Sequence, residues 1–263
     1  MSVTYEELRD GLGRAGIGGG DVVFVHASVS KIGRLEGGMD TAIDALLDAL
    51  GPGGTLAMPG FTFQFFEAEA PVFDVRRTPC WASKLYERFR TRLPVFRSHH
   101  VTHSMCAVGA RARELTAAHS ASPCGPESPF VKLANWGAKI LLIGVSHNSS
   151  TTFHAIEEQE RVPYMRLREV KGATIIDEDG RRSPIETFVH ELSHHYDFNR
   201  MNETLKREGI QRESAIGGAL VRCLDAGRMF ATAVREVRKD PEALMMHGGK
   251  EMWIPVAVGD VPG

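Results

Sequence analysis

Short apolar runs bounded by turn residues recur along the chain, and each predicts a buried strand. The run DVVFVHAS precedes a helical pattern that ends at Gly51, and the run TLAMPGF follows that helix. A strand, a helix and a second strand in this order are typical of a βαβ unit, whose strands are parallel. A third run, AKILLIGV at 138–145, is the clearest buried strand in the sequence.

Helical periodicity accounts for much of the sequence between these runs. A first helix is predicted from Tyr5 to Ala15, with Ser2 or Thr4 as its N-cap. Within the βαβ unit, apolar side chains recur at helical spacing between Ile43 and Leu50. Further helices are predicted over 81–93 and 110–119, directly after the strand at 138–145, and as one or two helices over 217–244.

The stretch ATIIDEDGRRSPIETFVHEL predicts a β-hairpin with its turn at Asp179-Gly180 and a second strand that contains Ile185, Thr187 and Val189. We find no internal repeat, low-complexity tract or linker in the 263 residues. The predicted fold class is therefore α/β: a single domain, 1–263, with a largely parallel central sheet flanked by helices and an inserted β-hairpin and loop region.

Composition excludes several classes of protein. Hydrophobic residues make up 43% of the chain and charged residues 24%, which is ordinary for a globular protein. The net charge of −2 provides no field that would attract nucleic acid or an anionic membrane. The four cysteines show no CxxC spacing, and neither a signal core nor a membrane-length apolar stretch is visible. We therefore expect a cytoplasmic protein without nucleic-acid or membrane partners.

The string FVHELSHHYDF contains the zinc-protease spacing His190-Glu191-x-x-His194. Zinc would require both histidines on one face of a helix and a third ligand downstream. The preceding residues instead predict a strand, on which the two histidines would lie about 13 Å apart. A histidine cluster at the surface or at a pocket rim is the preferred interpretation, and a zinc hydrolase is the alternative from another enzyme class.

A second histidine–carboxylate pair lies in GVSHNSSTTFHAIEE, which begins where the strand at 138–145 ends. Open α/β sheets carry their sites at this end of their strands. If a helix begins there, His154 lies in its first turns, with Glu157 and Glu158 on the same face. A carboxylate beside an imidazole fixes its tautomer, as a general base requires. An ordinary ion pair at a solvated helix start fits the spacing equally well.

Two polar loops are weaker candidates. The loop HASVSKIGRLEGG contains Lys31 and Arg34, and its backbone amides could hold phosphate, although a structural role explains it at least as well. The loop RSHHVTHS contains three histidines, but no cysteine or carboxylate completes a metal site there.

Taken together and in this order, these segments resemble the aminoglycoside 3-N-acetyltransferase family over residues 20–165. The matching motifs lie in DVVFVHASVSKIGRLEGGMDTAIDALLDALGPGGTLAMPGFT, FDVRRTPCWASKLYERFR, FRSHHVTHSMCAVG, GPESPFVKL and KILLIGVSHNSSTTFHAIEE. Five motifs matched in order are far more specific than any one of them.

This resemblance implies an acetyl-CoA-dependent enzyme that acetylates a primary amine directly, with the 3-amino group of a 2-deoxystreptamine aminoglycoside as the first candidate acceptor. It places the catalytic histidine at His154, its partner carboxylate at Glu157 and a hydroxyl near the acetyl group at Thr151. Acetyl-CoA is then a co-substrate, and no metal is expected. The implied CoA contacts are His26, Ser28, Val29, Ser30, Lys31, Ile32, Gly33, Thr78, Arg97, Ser98, His103, Ser104 and Ser128.

The inserted region is expected to form the acceptor side of the site. The family is acid-rich after the second hairpin, whereas this chain has HELSHHYDFNRMNE there. Histidines and an arginine in place of acids leave open an amine that carries an anionic group, such as a phosphonate or a nucleotide-linked amine. A non-catalytic relative that binds CoA is a further alternative, and a monomer or homodimer is expected. The candidate acceptor contacts are Glu67, Asp74, Glu158, His194, His195 and Asp197.

Overall fold

The computed structural model describes residues 2–191 and 196–246. In these ranges the strands are β1 (Val22–Ala27), β2 (Thr55–Pro59), β3 (Val72–Asp74), β4 (Phe96–Arg97), β5 (Met105–Gly109), β6 (Lys139–Ile143), β7 (Leu167–Glu169), β8 (Thr174–Ile176), β9 (Arg182–Pro184), β10 (Phe188–His190), β11 (Gln211–Ile216) and β12 (Ala219–Asp225). The α-helices are α1 (Tyr5–Ala15), α2 (Val29–Ile32), α3 (Gly38–Leu50), α4 (Lys84–Arg92), α5 (Ala112–Thr116), α6 (Pro129–Asn135), α7 (Thr152–Glu160), α8 (Asn202–Arg207) and α9 (Ala226–Lys239). Short 3₁₀ turns lie at Phe63–Phe65, His147–Ser149 and Phe198–Met201.

A seven-stranded sheet, in the order β11-β12-β6-β1-β2-β5-β4, forms the centre of the molecule. Strand β1 is parallel to both of its neighbours, β6 and β2. The other four pairings of this sheet are antiparallel. The predicted α/β fold is confirmed, and its parallel strands are the three that the apolar runs indicated. Antiparallel strands extend the sheet at both edges.

The first part of the helical prediction over 217–244 is wrong. Residues Ala219–Asp225 form β12, and α9 follows it. In β12 the side chains of Val221 and Cys223 are buried, whereas Leu220 between its buried neighbours is 42% exposed. This two-residue alternation over residues 219–223 is typical of a strand.

Two cores cover the two faces of the central sheet. Phe24 of β1 belongs to the core formed with α5, α6, α7 and α9, and Val23 and Val25 belong to the core formed with α1, α3 and α4. Because helices cover both faces, β1 is buried along most of its length, which explains its unbroken apolar sequence. The helix α1 begins at the predicted cap Thr4, whose hydroxyl accepts from the N–H of Glu7 at 3.2 Å.

The inserted region contains two small sheets with their own core. The predicted hairpin forms: β8 is antiparallel to β9, and Gly180 N–H closes the turn on Asp177 O at 3.1 Å. The second strand does not continue to Val189, however, because β10 pairs with β7 in a separate sheet. A third apolar core, which includes Phe73, Ile175 and Val189, packs inside this region. None of the helices in the described residues is long and apolar enough to cross a membrane.

Candidate active site

A cleft of about 650 Å³ opens beside the carboxyl end of β1. Strand β1 contributes His26, the turn that follows it contributes Ser28, and the start of α7 contributes Thr151 and His154. Ligands bind at this end of the strands in open α/β sheets. The volume lies within the range of small-molecule sites, so this cleft is the candidate active site.

His154 and Glu157 form a hydrogen-bonded pair on α7. The two residues are one helical turn apart, and His154 Nδ1 lies 2.6 Å from Glu157 Oε2. Glu157 is fully buried, and its other oxygen accepts from the hydroxyl of Tyr164 at 2.9 Å. Burial and the neighbouring Glu157 raise the pKa of Tyr164, which keeps its hydroxyl protonated and able to donate. A carboxylate that accepts from Nδ1–H leaves the lone pair of His154 on Nε2.

Aromatic rings fix the imidazole of His154 from the side. The rings of Tyr196 and Phe198 approach it edge to face, with centroids 4.9 and 5.0 Å away. The side chain of His154 is 12% exposed, in contrast with the fully buried Glu157. The imidazole is therefore held in one orientation while it stays open to the cleft.

A second histidine–glutamate pair lies beside the first. His190 on β10 places Nε2 2.6 Å from Glu158 Oε1, and the two imidazole rings of His190 and His154 are 5.0 Å apart. Glu158 also accepts from the backbone N–H of Cys124 at 2.7 Å. Although burial opposes ionisation, the hydrogen bond from His190 holds the pKa of Glu158 below its usual value. Burial lowers the pKa of His190, so a neutral imidazole donates to a carboxylate.

The pairing of His190 with Glu158 argues against the zinc hypothesis. His190 lies on a strand and not on a helix, its Nε2 is bonded to Glu158, and His194 is outside the described residues. Cys124 Sγ, a Glu158 oxygen and a His190 nitrogen do lie within 4.8 Å of one another. Each of them already has a protein partner, and burial raises the pKa of the Cys124 thiol well above its usual value. The zinc-protease arrangement is not formed by the described residues.

The sequence around this site matches a known protein family. The family model described as "Aminoglycoside 3-N-acetyltransferase" matches residues 24–238, which is more than half of the chain. The chain belongs to the aminoglycoside 3-N-acetyltransferase family. The resemblance inferred from the five motifs is confirmed, and the chain is an enzyme of the acyltransferase type.

Individual members of the family are similar over most of their length. Aminoglycoside N(3)-acetyltransferase IV of Salmonella sp is 31% identical over 244 residues, which cover 89% of this chain and 87% of the relative. Aminoglycoside N(3)-acetyltransferase VII of Streptomyces paromomycinus is 32% identical over 66% of this chain and 67% of the relative. The crystal structure of the apoenzyme of aminoglycoside acetyltransferase AAC(3)-IVa is 29% identical and superposes with a TM-score of 0.78, covering 94% of this chain and 93% of that one.

In the present protein, the cleft is lined by some, but not all, of the residues that were expected to contact CoA. The described residues that line it include His26, Ser28, Val29, Ser30 and His103. The other expected contacts do not line it: Lys31, Ile32, Gly33, Thr78, Arg97, Ser98, Ser104 and Ser128.

Several of these remaining side chains are engaged inside the protein. The buried guanidinium of Arg97 donates to Ser104 Oγ at 2.9 Å and to the carbonyl oxygens of Thr78 and Gly60 at 2.5 and 2.6 Å. Ser128 caps α6. Arg97 therefore connects Gly60, directly after β2, to Ser104, directly before β5.

The predicted acceptor residues are not gathered at the cleft. Glu67 pairs with Arg168 at 2.9 Å, Asp74 accepts from the backbone N–H groups that follow it, and Asp197 caps a 3₁₀ turn. Glu158 is occupied by His190. The remaining two predicted contacts, His194 and His195, lie outside the described residues.

The sequence analysis missed one side of the cleft. Ser83, Lys84 and Tyr86, at the start of α4, line it together with Asn148 and Tyr196. The hydroxyl of Tyr86 accepts from the N–H of Ala27 at 2.8 Å, which attaches α4 to the end of β1. The matched motif CWASKLYERFR contains all three residues, and their place in a matched motif was the signal that could have identified them.

Proposed function

We propose that this enzyme transfers the acetyl group of acetyl-CoA directly to a primary amine, with His154 as the general base. The observation that carries the proposal is the His154–Glu157 pair, 2.6 Å apart, at the edge of a 650 Å³ cleft. A related structure, "AAC-IIIb binary with CoASH", is 27% identical with a TM-score of 0.77, which supports CoA as the group that occupies such a cleft.

In the proposed reaction, Nε2 of His154 removes a proton from the ammonium group of the acceptor, because an ammonium has no lone pair with which to attack. His154 passes this proton to solvent, the amine nitrogen forms a bond to the thioester carbon, and Nε2 then takes a second proton from that nitrogen, which must lose it to become an amide. As the carbon–sulfur bond breaks, the imidazolium returns a proton to the leaving thiolate. Glu157 accepts from Nδ1–H throughout, which keeps the tautomer correct and stabilises the imidazolium. Thr151 is one of the residues that line the cleft, and we assign to its hydroxyl a hydrogen bond to the developing oxyanion, a contribution of about 3 kcal/mol.

The first acceptor to test is the 3-amino group of a 2-deoxystreptamine aminoglycoside. Two structures of a histidine-to-alanine mutant of AAC(3)-IVa, which is 29–30% identical to this chain, contain a gentamicin and apramycin. Family membership therefore supports an aminoglycoside.

One observation favours a different acceptor with the same chemistry. Aminoglycosides are polycations, and acidic side chains attract them. Among the described residues that line the cleft, however, no side chain is a carboxylate, and Lys84 carries a positive charge. An amine that carries a phosphonate or phosphate group fits this charge distribution better.

The experiment is an acceptor panel. The purified enzyme is mixed with acetyl-CoA and with gentamicin, apramycin or 2-aminoethylphosphonate, and free thiol is measured over time. Thiol release that depends on an aminoglycoside supports the first acceptor, and release that depends only on the phosphonate supports the second. Absence of amine-dependent thiol release across an extended panel of amines would overturn the proposal.

A further inference from the structure

His26 has an unusual environment for a buried histidine. It lies near the carboxyl end of β1, it is one of the residues that line the cleft, and only 3% of the residue is exposed. The ring of Phe24 packs against it edge to face, with centroids 4.5 Å apart. Within the described part of the chain, Nε2 is buried and has no hydrogen-bond partner.

An unpaired buried nitrogen needs an explanation, because nearly all buried polar groups in proteins have a partner. Because His26 is one of the residues that line the cleft, a ligand bound in the cleft can provide the missing hydrogen-bond partner. Asn148, which also lines the cleft, has a buried side-chain oxygen in the same situation among the described residues. Two residues that line the cleft therefore each have a buried polar atom without a partner among the described residues, as in a site that its ligand completes.

The charge state of His26 restricts what it can do. Burial lowers its pKa to about 3, so the ring is neutral at physiological pH. A neutral imidazole has one N–H donor and one acceptor nitrogen, and the partner determines which nitrogen carries the proton. His26 is therefore suited to donating a hydrogen bond and unsuited to removing a proton from an ammonium group.

We propose that His26 is a further catalytic residue of this reaction, and that its Nε2–H donates a hydrogen bond to the carbonyl oxygen of the acyl thioester. As the carbon–nitrogen bond forms, the carbonyl π electrons move to that oxygen, and the hydrogen bond stabilises the resulting negative charge. When the carbonyl is restored, the carbon–sulfur bond breaks and the thiolate leaves. His26 loses no proton in this sequence, and His154 carries out the proton transfers. The inference rests on the proposed acetyl transfer.

The test compares His26→Phe with His26→Gln. Phenylalanine has a similar shape but no N–H, whereas glutamine retains a donor. We expect kcat of His26→Phe to fall about 10²–10³-fold, as on removal of an oxyanion donor, with a much smaller change in KM for acetyl-CoA. His26→Gln should recover part of the loss. The melting temperature of His26→Phe should not fall, because the substitution removes an unpaired polar atom from the interior.

His147→Phe is a matched control. His147 is also buried, Nδ1 has no partner in the described chain, and burial lowers its pKa to about 4, but it does not line the cleft. Its substitution should leave kcat near the parent value. Near-parental kcat in His26→Phe, a higher KM with unchanged kcat, or a loss of melting temperature parallel to the loss of activity would each overturn the assignment of His26. If the parent enzyme itself releases no thiol with any amine, the proposed function fails and this inference fails with it.

Discussion

The molecule contains two imidazole–carboxylate pairs that are nearly identical as contacts but differ in access. His154–Glu157 and His190–Glu158 each have an N···O distance of 2.6 Å, and both glutamates come from consecutive positions of α7. The histidine of the first pair is 12% exposed and lines the cleft. The histidine of the second pair is 3% exposed, and its pair is closed inside the protein.

This difference indicates that a short contact to a carboxylate does not by itself identify a base. A base must reach the proton that it removes, so access to a cleft distinguishes the two pairs. The His190–Glu158 pair instead connects β10 of the inserted region to α7, which packs on the central sheet. We infer that the first pair performs the chemistry and that the second holds the two parts of the molecule together.

The largest effect is expected from removal of the accessible imidazole. His154→Ala should lower kcat at least about 10³-fold, because His154 is the only imidazole among the described lining residues that is hydrogen-bonded to a carboxylate. Thiol release under saturating substrates measures this effect, and circular dichroism shows whether the fold is retained. A purified, folded variant with near-normal turnover would exclude His154 from the mechanism.

A smaller loss of activity is expected when His154 is retained and its partner Glu157 is made neutral. Glu157→Gln has the same shape but is neutral, so it stabilises the imidazolium less and permits the wrong tautomer. We expect kcat to fall about 10²-fold. Glu160→Gln is the matched control, because Glu160 lies on the same helix but pairs with Arg238 at 2.7 Å. Equal activity in Glu157→Gln and Glu160→Gln would show that Glu157 does not support His154 in catalysis.

For the closed pair, His190–Glu158, substitution should change the stability of the protein more than its catalytic rate. His190→Leu leaves the carboxylate of Glu158 buried without its histidine, which should lower the free energy of unfolding by about 3 kcal/mol. Urea denaturation measures it, and kcat of the folded variant should fall much less than in His154→Ala. The double variant with Glu158→Gln should recover part of the stability, since no buried charge is then unpaired. A variant as inactive as His154→Ala but fully stable would reverse the comparison.

Sequence reasoning succeeded where local pattern and burial agree. The continuous apolar runs identified the three parallel strands, and the spacing of His154 and Glu157 placed both on one helical face, as the structure shows. It failed at β12, whose apolar residues also fit a helical period; this strand pairs with the adjacent β11 across Gly217-Gly218 and with β6, which is distant in sequence. Pairing between distant segments is not encoded in a local period.

The string at His190 illustrates the same limit within the site. Its spacing matches a zinc helix, but the partner that decides its role, Glu158, is 32 residues away. Arg97 is the opposite case. It lies in a matched motif that predicted a CoA contact, but its guanidinium donates to carbonyl groups of two other loops. Which side chains reach the cleft depends on these long-range contacts, so the motif predicted the loops better than the individual contacts.

The smallest effect concerns the pH dependence of stability. Burial holds the pKa of His190 below its unfolded value of 6.5, so the folded protein binds fewer protons than the unfolded chain in the window below pH 6.5. The contribution of His190 to stability is then fully present above pH 6.5, and it is lost as the pH falls toward the folded pKa. His190→Gln should reduce this slope by at most one proton, about 1.4 kcal/mol per pH unit. Urea denaturation at several values between about pH 5 and 6.5 measures it.

Glu160→Gln serves again as the control for this titration. The hydrogen bond from Arg238 holds the pKa of Glu160 below that of an ordinary carboxyl group, so it titrates below this pH window. Its removal should therefore leave the slope between about pH 5 and 6.5 unchanged. If His190→Gln and Glu160→Gln showed the same slope as the parent, His190 would have to titrate in the folded protein much as it does in the unfolded chain. The closed pair would then not keep its imidazole neutral, and the contrast with the open pair would rest on access alone.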